Sequence, residues 1–341
     1  MPSGYETSAD IGVWYLHAMR VWFLLFLLLA SNVSNGQESR PSSRPRRGSG
    51  FDTVAKTLKG RVTRTTIPSK LMPKEVGVVT YVPEGYDVKD RSAIRYPVVF
   101  FLHGLFENAD RWVQRGGATM LESAIADGDL PPVIVVAPDA GMSFYCDTID
   151  GKRPYARFFI EECVPWADAT FRTKSARGSR VIVGSSMGGF GALRFAFTRP
   201  EMFAAVAVHS AAILPDDVSA WSTRAQRAMG FLAAEIADVF GDPIDPVRWK
   251  SVNPLHLAQT LAPEAAPSIY LDCGSEDRYA FDDGCRQLGD VLTERKIPRI
   301  CEIRPGNHGW DYLKDAHPHA LRFLGETLKK AAASRATPGS R

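Results

Sequence analysis

The stretch from Val181 to Gly191 reads VIVGSSMGGFG, and it constrains the fold more than any other part of the sequence. Three β-branched residues predict a short buried strand, and a helical pattern starts immediately beyond it, so about four residues must reverse the chain. The corner has the form G-x-S-x-G, with Gly184 and Gly188 on either side of Ser186. Such glycines are required where a strained residue sits between a strand and a helix. Ser186, unlike Ser185, is therefore predicted to project its hydroxyl above the sheet as a nucleophile.

The same five-residue pattern also arises by chance in chains of this length, so its surroundings must decide. Strands and helices alternate along the chain. Residues 60–67 and 75–82 predict an antiparallel hairpin, and Tyr96–Leu102 (YPVVFFL) is typical of a strand buried on both faces of a parallel sheet. Further strands are predicted at 133–137, 179–183, 203–208, 268–273 and 299–303, with helices at 118–127, 154–170, 188–199, 282–295 and 310–332. This order predicts a doubly wound α/β sheet, mostly parallel, in one domain over residues 51–332.

Residues 211–267 interrupt the alternation after the sixth strand. They contain a helical pattern from about Arg224 to Phe240 and several proline turns. Inserts at the carboxyl ends of parallel strands line the active-site side of such sheets, so we interpret this segment as a cap that faces the substrate. An insert that only packs against the domain is the alternative.

The N-terminal segment is predicted to lie outside the folded domain. Val21–Ala30 is an apolar run of ten residues followed by small residues, which is typical of a signal peptide over residues 1–36 with cleavage near Gly36. The run is about half the length that spans a bilayer, so no stable membrane span is expected, and an uncleaved anchor is the alternative. Residues 37–50, rich in Ser, Arg, Pro and Gly, predict a disordered linker, and residues 333–341 a disordered tail. The sequence therefore indicates a secreted or periplasmic protein.

A serine nucleophile needs a base, and the base needs a carboxylate that fixes its tautomer. In sheets of this kind the order along the chain is Ser, acid, His, each after a successive strand. Of seven histidines, His308 alone lies in a loop directly after the last strand, beside two glycines. Asp277 is the preferred acid in the loop after the strand at 268–273, and Glu276 is the alternative.

Two backbone N–H groups are predicted to bind the oxyanion of the tetrahedral intermediate. One belongs to Met187, directly after the nucleophile. The other belongs to Leu105, in the loop that follows the strand ending at His103-Gly104. His103 is expected to pack beneath this loop and to form a hydrogen bond with it.

Composition and cysteine spacing exclude other classes. The net charge of +3 gives no indication of a nucleic-acid partner. Five cysteines, an odd number, lack any C-x-x-C spacing, so neither a metal nor a redox cofactor is predicted. If one disulfide forms, we expect Cys273 to pair with Cys285 or Cys301, because all three lie in the last α/β units; the other two cysteines are Cys146 and Cys163.

Several motifs together resemble the esterase D branch of the α/β-hydrolases, which includes S-formylglutathione hydrolases, feruloyl and acetylxylan esterases and antigen 85-type mycolyltransferases. These motifs are FLHG at 101–104, Trp112, SFYCD at 143–147, GSSMGGFGA at 184–192, GSED at 274–277 and NHGW at 307–310. The resemblance covers about residues 60–325 and implies the α/β-hydrolase fold, with Ser186, Asp277 and His308 as the triad and Leu105 and Met187 as oxyanion donors. The chain departs from the family at Cys146 and at Leu105–Glu107, where a glycine-rich run is common.

The sequence thus predicts an exported serine esterase that needs no cofactor. Export and the resemblance favour acyl esters of carbohydrates, of the feruloyl or acetyl type. The alternatives are acyl transfer to a sugar or other alcohol, a thioesterase similar to S-formylglutathione hydrolase, and a binding protein of the same fold with a vestigial triad. The expected partner is a small or polysaccharide-linked ester, and the sequence contains no signal for an oligomeric state.

Overall fold

The computed structural model describes residues 50–336. The predicted signal peptide at 1–36, nearly all of the predicted linker and the last five residues lie outside this range. Within it, no helix is both long and apolar enough to cross a membrane.

Eight strands form one sheet in the order β1-β2-β4-β3-β5-β6-β7-β8. The strands are β1 (Arg61–Ile67), β2 (Val76–Val82), β3 (Val98–Leu102), β4 (Ile134–Pro138), β5 (Arg180–Ser185), β6 (Ala205–His209), β7 (Ser268–Gly274) and β8 (Arg299–Arg304). The β1–β2 hairpin is antiparallel, as predicted, and β2 is antiparallel to β4. All pairs from β4 through β8 are parallel. The mostly parallel sheet predicted from the strand pattern is therefore confirmed.

Helices cover both faces of this sheet, which explains why the strand interiors are almost wholly apolar. Every residue of β4 and β6 is buried, and buried side chains form two clusters, one on each face. The helices are α1 (Gly50–Ala55), α2 (Asp110–Gln114), α3 (Gly117–Ala126), α4 (Tyr155–Phe158), α5 (Val164–Thr170), α6 (Met187–Thr198), α7 (Thr223–Phe231), α8 (Ala233–Phe240), α9 (Pro246–Val252), α10 (Pro254–Thr260), α11 (Phe281–Glu294) and α12 (Trp310–Ala336). Short 3₁₀ turns lie at Lys89–Arg91, Arg177–Ser179 and Val218–Ala220.

Three helical segments differ from the prediction. The helix expected at 154–170 contains a π-helical turn at Phe159–Cys163, between α4 and α5. The helix expected from Arg224 to Phe240 is two helices that meet at Leu232, whose ψ of 0° lies outside the helical range. Helix α12 runs to Ala336, so residues 333–336, predicted to belong to the disordered tail, are helical. Alanine and lysine are strong helix formers, which accounts for this extension over KKAAASRA.

The topology brings the ends of several strands together. Strand β5 lies between β3 and β6, and β7 and β8 follow in order, all parallel. Because parallel strands end at the same edge, the loops after β3, β5, β7 and β8 converge there. The residues predicted to act in catalysis lie in these four loops or, for Met187, at the start of the helix that follows β5.

Candidate active site

The corner after β5 has the strained geometry that its glycines indicate. Ser186 adopts φ 55° and ψ −121°, a conformation that non-glycine residues rarely adopt. A Cβ atom on Gly184 would lie 2.3 Å from the carbonyl oxygen of Gly188, and a Cβ on Gly188 would lie 2.0 Å from that of Leu102. Both positions thus exclude any side chain. Helix α6 starts at Met187, directly after the serine.

The three predicted side chains lie in hydrogen-bonding order. His308 Nε2 is 3.0 Å from Ser186 Oγ, and His308 Nδ1 is 2.6 Å from Asp277 Oδ2. These side chains come from the loops after β5, β7 and β8, and they are 31 and 122 residues apart along the chain. The arrangement can pass the hydroxyl proton of Ser186 to an imidazole that a carboxylate orients.

Asp277 is completely buried, and yet the pKa of its carboxyl group is lower than that of a free aspartate. Its Oδ1 accepts a hydrogen bond from the backbone N–H of Tyr279 at 2.9 Å. Burial by itself raises the pKa of Asp277, but the hydrogen bond and the charge of His308, with the Tyr279 N–H, outweigh burial and lower the pKa overall. The buried carboxylate is therefore an anion next to the imidazole.

His308 lies in the loop after β8, and residues in and directly after the loop that contains Asp277 contact it from several sides. The rings of Tyr279 and Phe281 meet the imidazole edge-on, at centroid distances of 4.7 and 5.4 Å. A Cβ atom on Gly274 would lie 2.4 Å from the carbonyl oxygen of Gly306, so the two loops pack backbone against backbone. This contact sets the distance between acid and base.

Within residues 50–336, the acid that pairs with His308 is Asp277, not the alternative Glu276. Glu276 is exposed. Asp272, on β7, instead bonds through Oδ2 to Nδ1 of His209 at 2.8 Å and accepts at Oδ1 from the hydroxyl of Tyr312 at 2.8 Å. His209 Nε2 lies 3.2 Å from Nδ1 of His317, which completes a buried polar cluster. No sequence pattern indicated this cluster, because its members come from β6, β7 and α12.

The loop after β3 contains the other predicted groups. Nδ1 of His103 lies 2.8 Å from the carbonyl oxygen of Gly104, and Nε2 accepts from the N–H of Ala140 at 2.9 Å. His103 thus lies beneath the loop and bonds to it, as expected. In the described part of the chain the N–H groups of Leu105 and Met187 donate to no protein acceptor, so both are free to bind a ligand oxygen.

A charged clamp, formed by Glu107 and Arg115, was not foreseen from the sequence. Glu107 Oε2 accepts from the N–H of Gly104 at 3.2 Å, and Oε1 pairs with Arg115 Nη1 at 2.6 Å. The Arg115 guanidinium carbon lies 5.6 Å from the ring centroid of Trp310, two residues beyond His308. The clamp therefore connects the loop after β3 with the start of α12. Glu107 and Arg115 are eight positions apart, across a loop and a short helix, so no periodic pattern could have indicated the clamp.

A cleft of about 230 Å³ opens beside Ser186 and His308. Its inner lining is apolar and includes Met229 and Leu232 from the insert. This agrees with the prediction that the insert faces the substrate side of the sheet.

The structure contains no disulfide at Cys273, for which pairing with Cys285 or Cys301 was expected if a bridge forms. All five cysteines are free thiols, and Cys273 Sγ lies near Ser210 Oγ and Asp277 Oδ2, at 3.6 and 3.5 Å. The sulfurs that approach each other are those of Cys285 and Cys301, 3.8 Å apart, because α11 packs its face onto β8. Within residues 50–336, no group of three or more His, Cys, Asp or Glu side chains is arranged to hold a metal ion.

Comparison with known proteins places the chain among esterases. An esterase of Mycobacterium tuberculosis (strain ATCC 25618 / H37Rv) is 28% identical over 250 residues, which are 68% of this chain and 52% of that protein. An endo-1,4-beta-xylanase/feruloyl esterase of Xylanibacter ruminicola is 33% identical over 150 residues, 42% of this chain and 20% of that protein. The chain thus spans about half of the first relative's length and a fifth of the second's.

A solved structure of a ferulic acid esterase superposes with a TM-score of 0.66 at 22% identity, over 80% of this chain and 99% of that one. This likeness confirms the α/β-hydrolase fold. The family model described as "Putative esterase" matches residues 69–324, which is more than half of the chain. The chain therefore belongs to this esterase family, as its motifs indicated.

Proposed function

We propose that this protein is an exported serine esterase that hydrolyses carboxylic esters through Ser186, His308 and Asp277. The observation that carries the proposal is the continuous hydrogen-bonded series from Asp277 through His308 to Ser186, with distances of 2.6 and 3.0 Å. Membership of the esterase family supports the same reaction class.

The geometry supports the following sequence of steps. The Asp277 carboxylate accepts the Nδ1–H of His308, which leaves Nε2 as the proton acceptor. As Ser186 Oγ attacks the ester carbonyl carbon, its proton moves to Nε2, and His308 then transfers that proton to the departing alkoxide. Water attacks the acyl-enzyme by the same route and releases the acid.

The negative charge on the carbonyl oxygen forms in front of the N–H groups of Leu105 and Met187. Met187 is the first residue of helix α6, and the Glu107 carboxylate holds the Gly104 backbone that precedes Leu105. Donors that are already oriented stabilise a tetrahedral oxyanion by several kcal/mol, on the order of 3 kcal/mol for one donor.

Acyl esters of carbohydrates are the proposed substrates. The relative from Xylanibacter ruminicola is named as a xylanase and feruloyl esterase, and the similar solved structure is a ferulic acid esterase. Export, which rests on the apolar run Val21–Ala30 and the small residues after it, is consistent with a polymeric substrate outside the cell. Sequencing the N-terminus of protein recovered from the medium or periplasm tests export, and a mature start near Gln37 is expected.

Replacing Ser186 tests the mechanism. Ser186→Ala is expected to lower kcat for a feruloyl or acetyl ester by on the order of 10⁴- to 10⁶-fold, because no other group can form the acyl-enzyme. Ser185→Ala is the matched control and is expected to keep turnover within about tenfold, since the hydroxyl that bonds to the base is that of Ser186. Equal turnover by Ser186→Ala and the wild type would refute the mechanism, whereas a wild type that turns over no ester would favour a binding protein with a vestigial triad.

A further inference from the structure

Phe106 combines two unfavourable properties. Its φ is 61°, in the left-handed region that bulky residues avoid, and its side chain is 59% exposed. Neither the backbone conformation nor the exposure of an aromatic ring favours folding. Strained residues of this kind concentrate at functional sites, where something other than stability retains them.

The local turn accounts for the backbone but not for the side chain. The N–H of Glu107 donates to the carbonyl oxygen of Gly104 at 3.3 Å, which closes a four-residue turn with Phe106 at its third position. The Glu107 side chain, held by Arg115, bonds back to the Gly104 N–H and fixes the turn. A positive φ at this position suits glycine or asparagine, so the turn itself does not require a phenylalanine.

The position of Phe106 relates it to the substrate. It follows Leu105, whose N–H is the proposed oxyanion donor, and it lines the same cleft as Ser186 and His308. The remaining lining divides by burial. Buried apolar side chains form what we call the inner wall: Phe144, Met229, Leu232 and Phe281. Exposed cationic side chains form what we call the outer rim: Arg111 and Arg278.

The two halves of a carbohydrate ester differ in polarity, as the two parts of the cleft lining do. An apolar acyl group is stabilised by the buried wall, while a hydrated sugar stays at the exposed rim. The face of an aromatic ring carries partial negative charge, which attracts the weakly positive C–H groups on the face of a sugar. The guanidinium groups of Arg111 and Arg278, which line the same cleft, can donate hydrogen bonds to sugar hydroxyls or to a carboxylate.

We propose that Phe106 is a specificity-determining residue that stacks on the sugar ring of the alcohol half of the substrate, with the acyl half against the inner wall. This inference rests on the proposed esterase function. It adds the orientation of the substrate and the ring that recognises it.

The test compares two esters that share one acyl group, methyl ferulate and feruloyl-arabinose. Phe106→Asn keeps a residue suited to the positive φ but removes the ring. It is expected to lower kcat/KM for feruloyl-arabinose about tenfold through KM, which is the effect of losing one aromatic contact. Its kcat/KM for methyl ferulate is expected to change no more than about twofold, because that ester has no sugar. Phe106→Trp is expected to retain the preference for the sugar ester.

The control is Phe231→Asn, because Phe231 is 79% exposed at the end of α7 and does not line the cleft. It is expected to leave both esters unaffected. Urea unfolding distinguishes a role in substrate recognition from a role in stability. Phe106→Asn is expected to be at least as stable as the wild type, because the substitution relieves the backbone strain. A clear loss of stability, or an equal loss with both esters, would overturn the inference. A wild type that hydrolyses neither ester would instead refute feruloyl esters as the substrates within the proposed function.

Discussion

Gly188→Ala tests whether the corner at Ser186 is packed as tightly as the structure indicates. The added methyl carbon would lie 2.0 Å from the carbonyl oxygen of Leu102 and 2.7 Å from that of His103. Both contacts are with backbone at the end of β3, so no side-chain rotation can relieve them. Helix α6 and the end of β3 would have to move apart.

The size of the effect follows from these distances. A carbon and a carbonyl oxygen approach to about 3.3 Å, so the two segments must separate by roughly 1.3 Å. Overpacking of this kind costs about 1–3 kcal/mol, and the rigid backbone on both sides favours the upper end or more. The same movement separates Ser186 from the loop that contains Leu105. A misplacement of about 1 Å lowers the rate on the order of 100-fold.

Urea unfolding and ester hydrolysis measure the two effects on one protein. Gly230→Ala is the matched control, because a Cβ atom there meets nothing within 4 Å and the residue lies in helix α7. It is expected to be neutral or to raise the free energy of unfolding by up to about 1 kcal/mol. A Gly188→Ala variant that matches Gly230→Ala in both stability and kcat would refute the packing argument.

Two further predictions concern the acid and the buried histidines. Asp277→Asn is expected to lower kcat by about 10⁴-fold, because His308 loses the carboxylate that fixes its tautomer, whereas Glu276→Gln should have little effect. Kinetics with one aryl ester compare the two variants. A larger loss of kcat in Glu276→Gln would reassign the acid. Burial, followed by the charge of His209, lowers the pKa of His317 from its ordinary value of 6.5 to about 3. Because the folded pKa is the lower one, stability from neutral His317 is present above pH 6.5 and is lost as the pH falls toward 3. At pH 4.5 the loss is on the order of 3 kcal/mol, so His317→Asn should flatten the pH dependence of urea unfolding, and an unchanged slope between pH 7 and 4.5 would contradict this.

Most of the secondary structure was predictable because local patterns reflect burial. Apolar runs such as VIVVA and YPVVFFL contain no polar residue that could face water, so they indicate strands covered on both sides. The predictions were wrong at two helix boundaries, one inside the insert and one in the C-terminal helix. The helical periodicity through Leu232 continues across a break, and the chain near 333 stays helical where a tail was expected.

The candidate site was accessible from sequence for a topological reason. Ser186, Asp277 and His308 each follow a strand, and the ends of parallel strands meet at one edge, so chain order alone indicated their proximity. The glycines on either side of Ser186 indicated the strained corner from the sequence, because no side chain larger than a hydrogen atom fits at Gly184 or Gly188.

Contacts across the fold depended on the tertiary structure. Glu107 reaches Arg115, His209 reaches Asp272 sixty-three residues away, and Cys285 rather than Cys273 approaches Cys301. None of these pairs has a characteristic spacing, because side-chain partners across a core are set by strand register and helix packing. The strained φ of Phe106 likewise has no signature in the sequence and became visible only in the tertiary structure. The sequence by itself predicted the nucleophile, the reaction class through its family motifs and the order of the strands along the chain, because these follow from local patterns. The three-dimensional packing decided which charges pair and which side chains line the cleft.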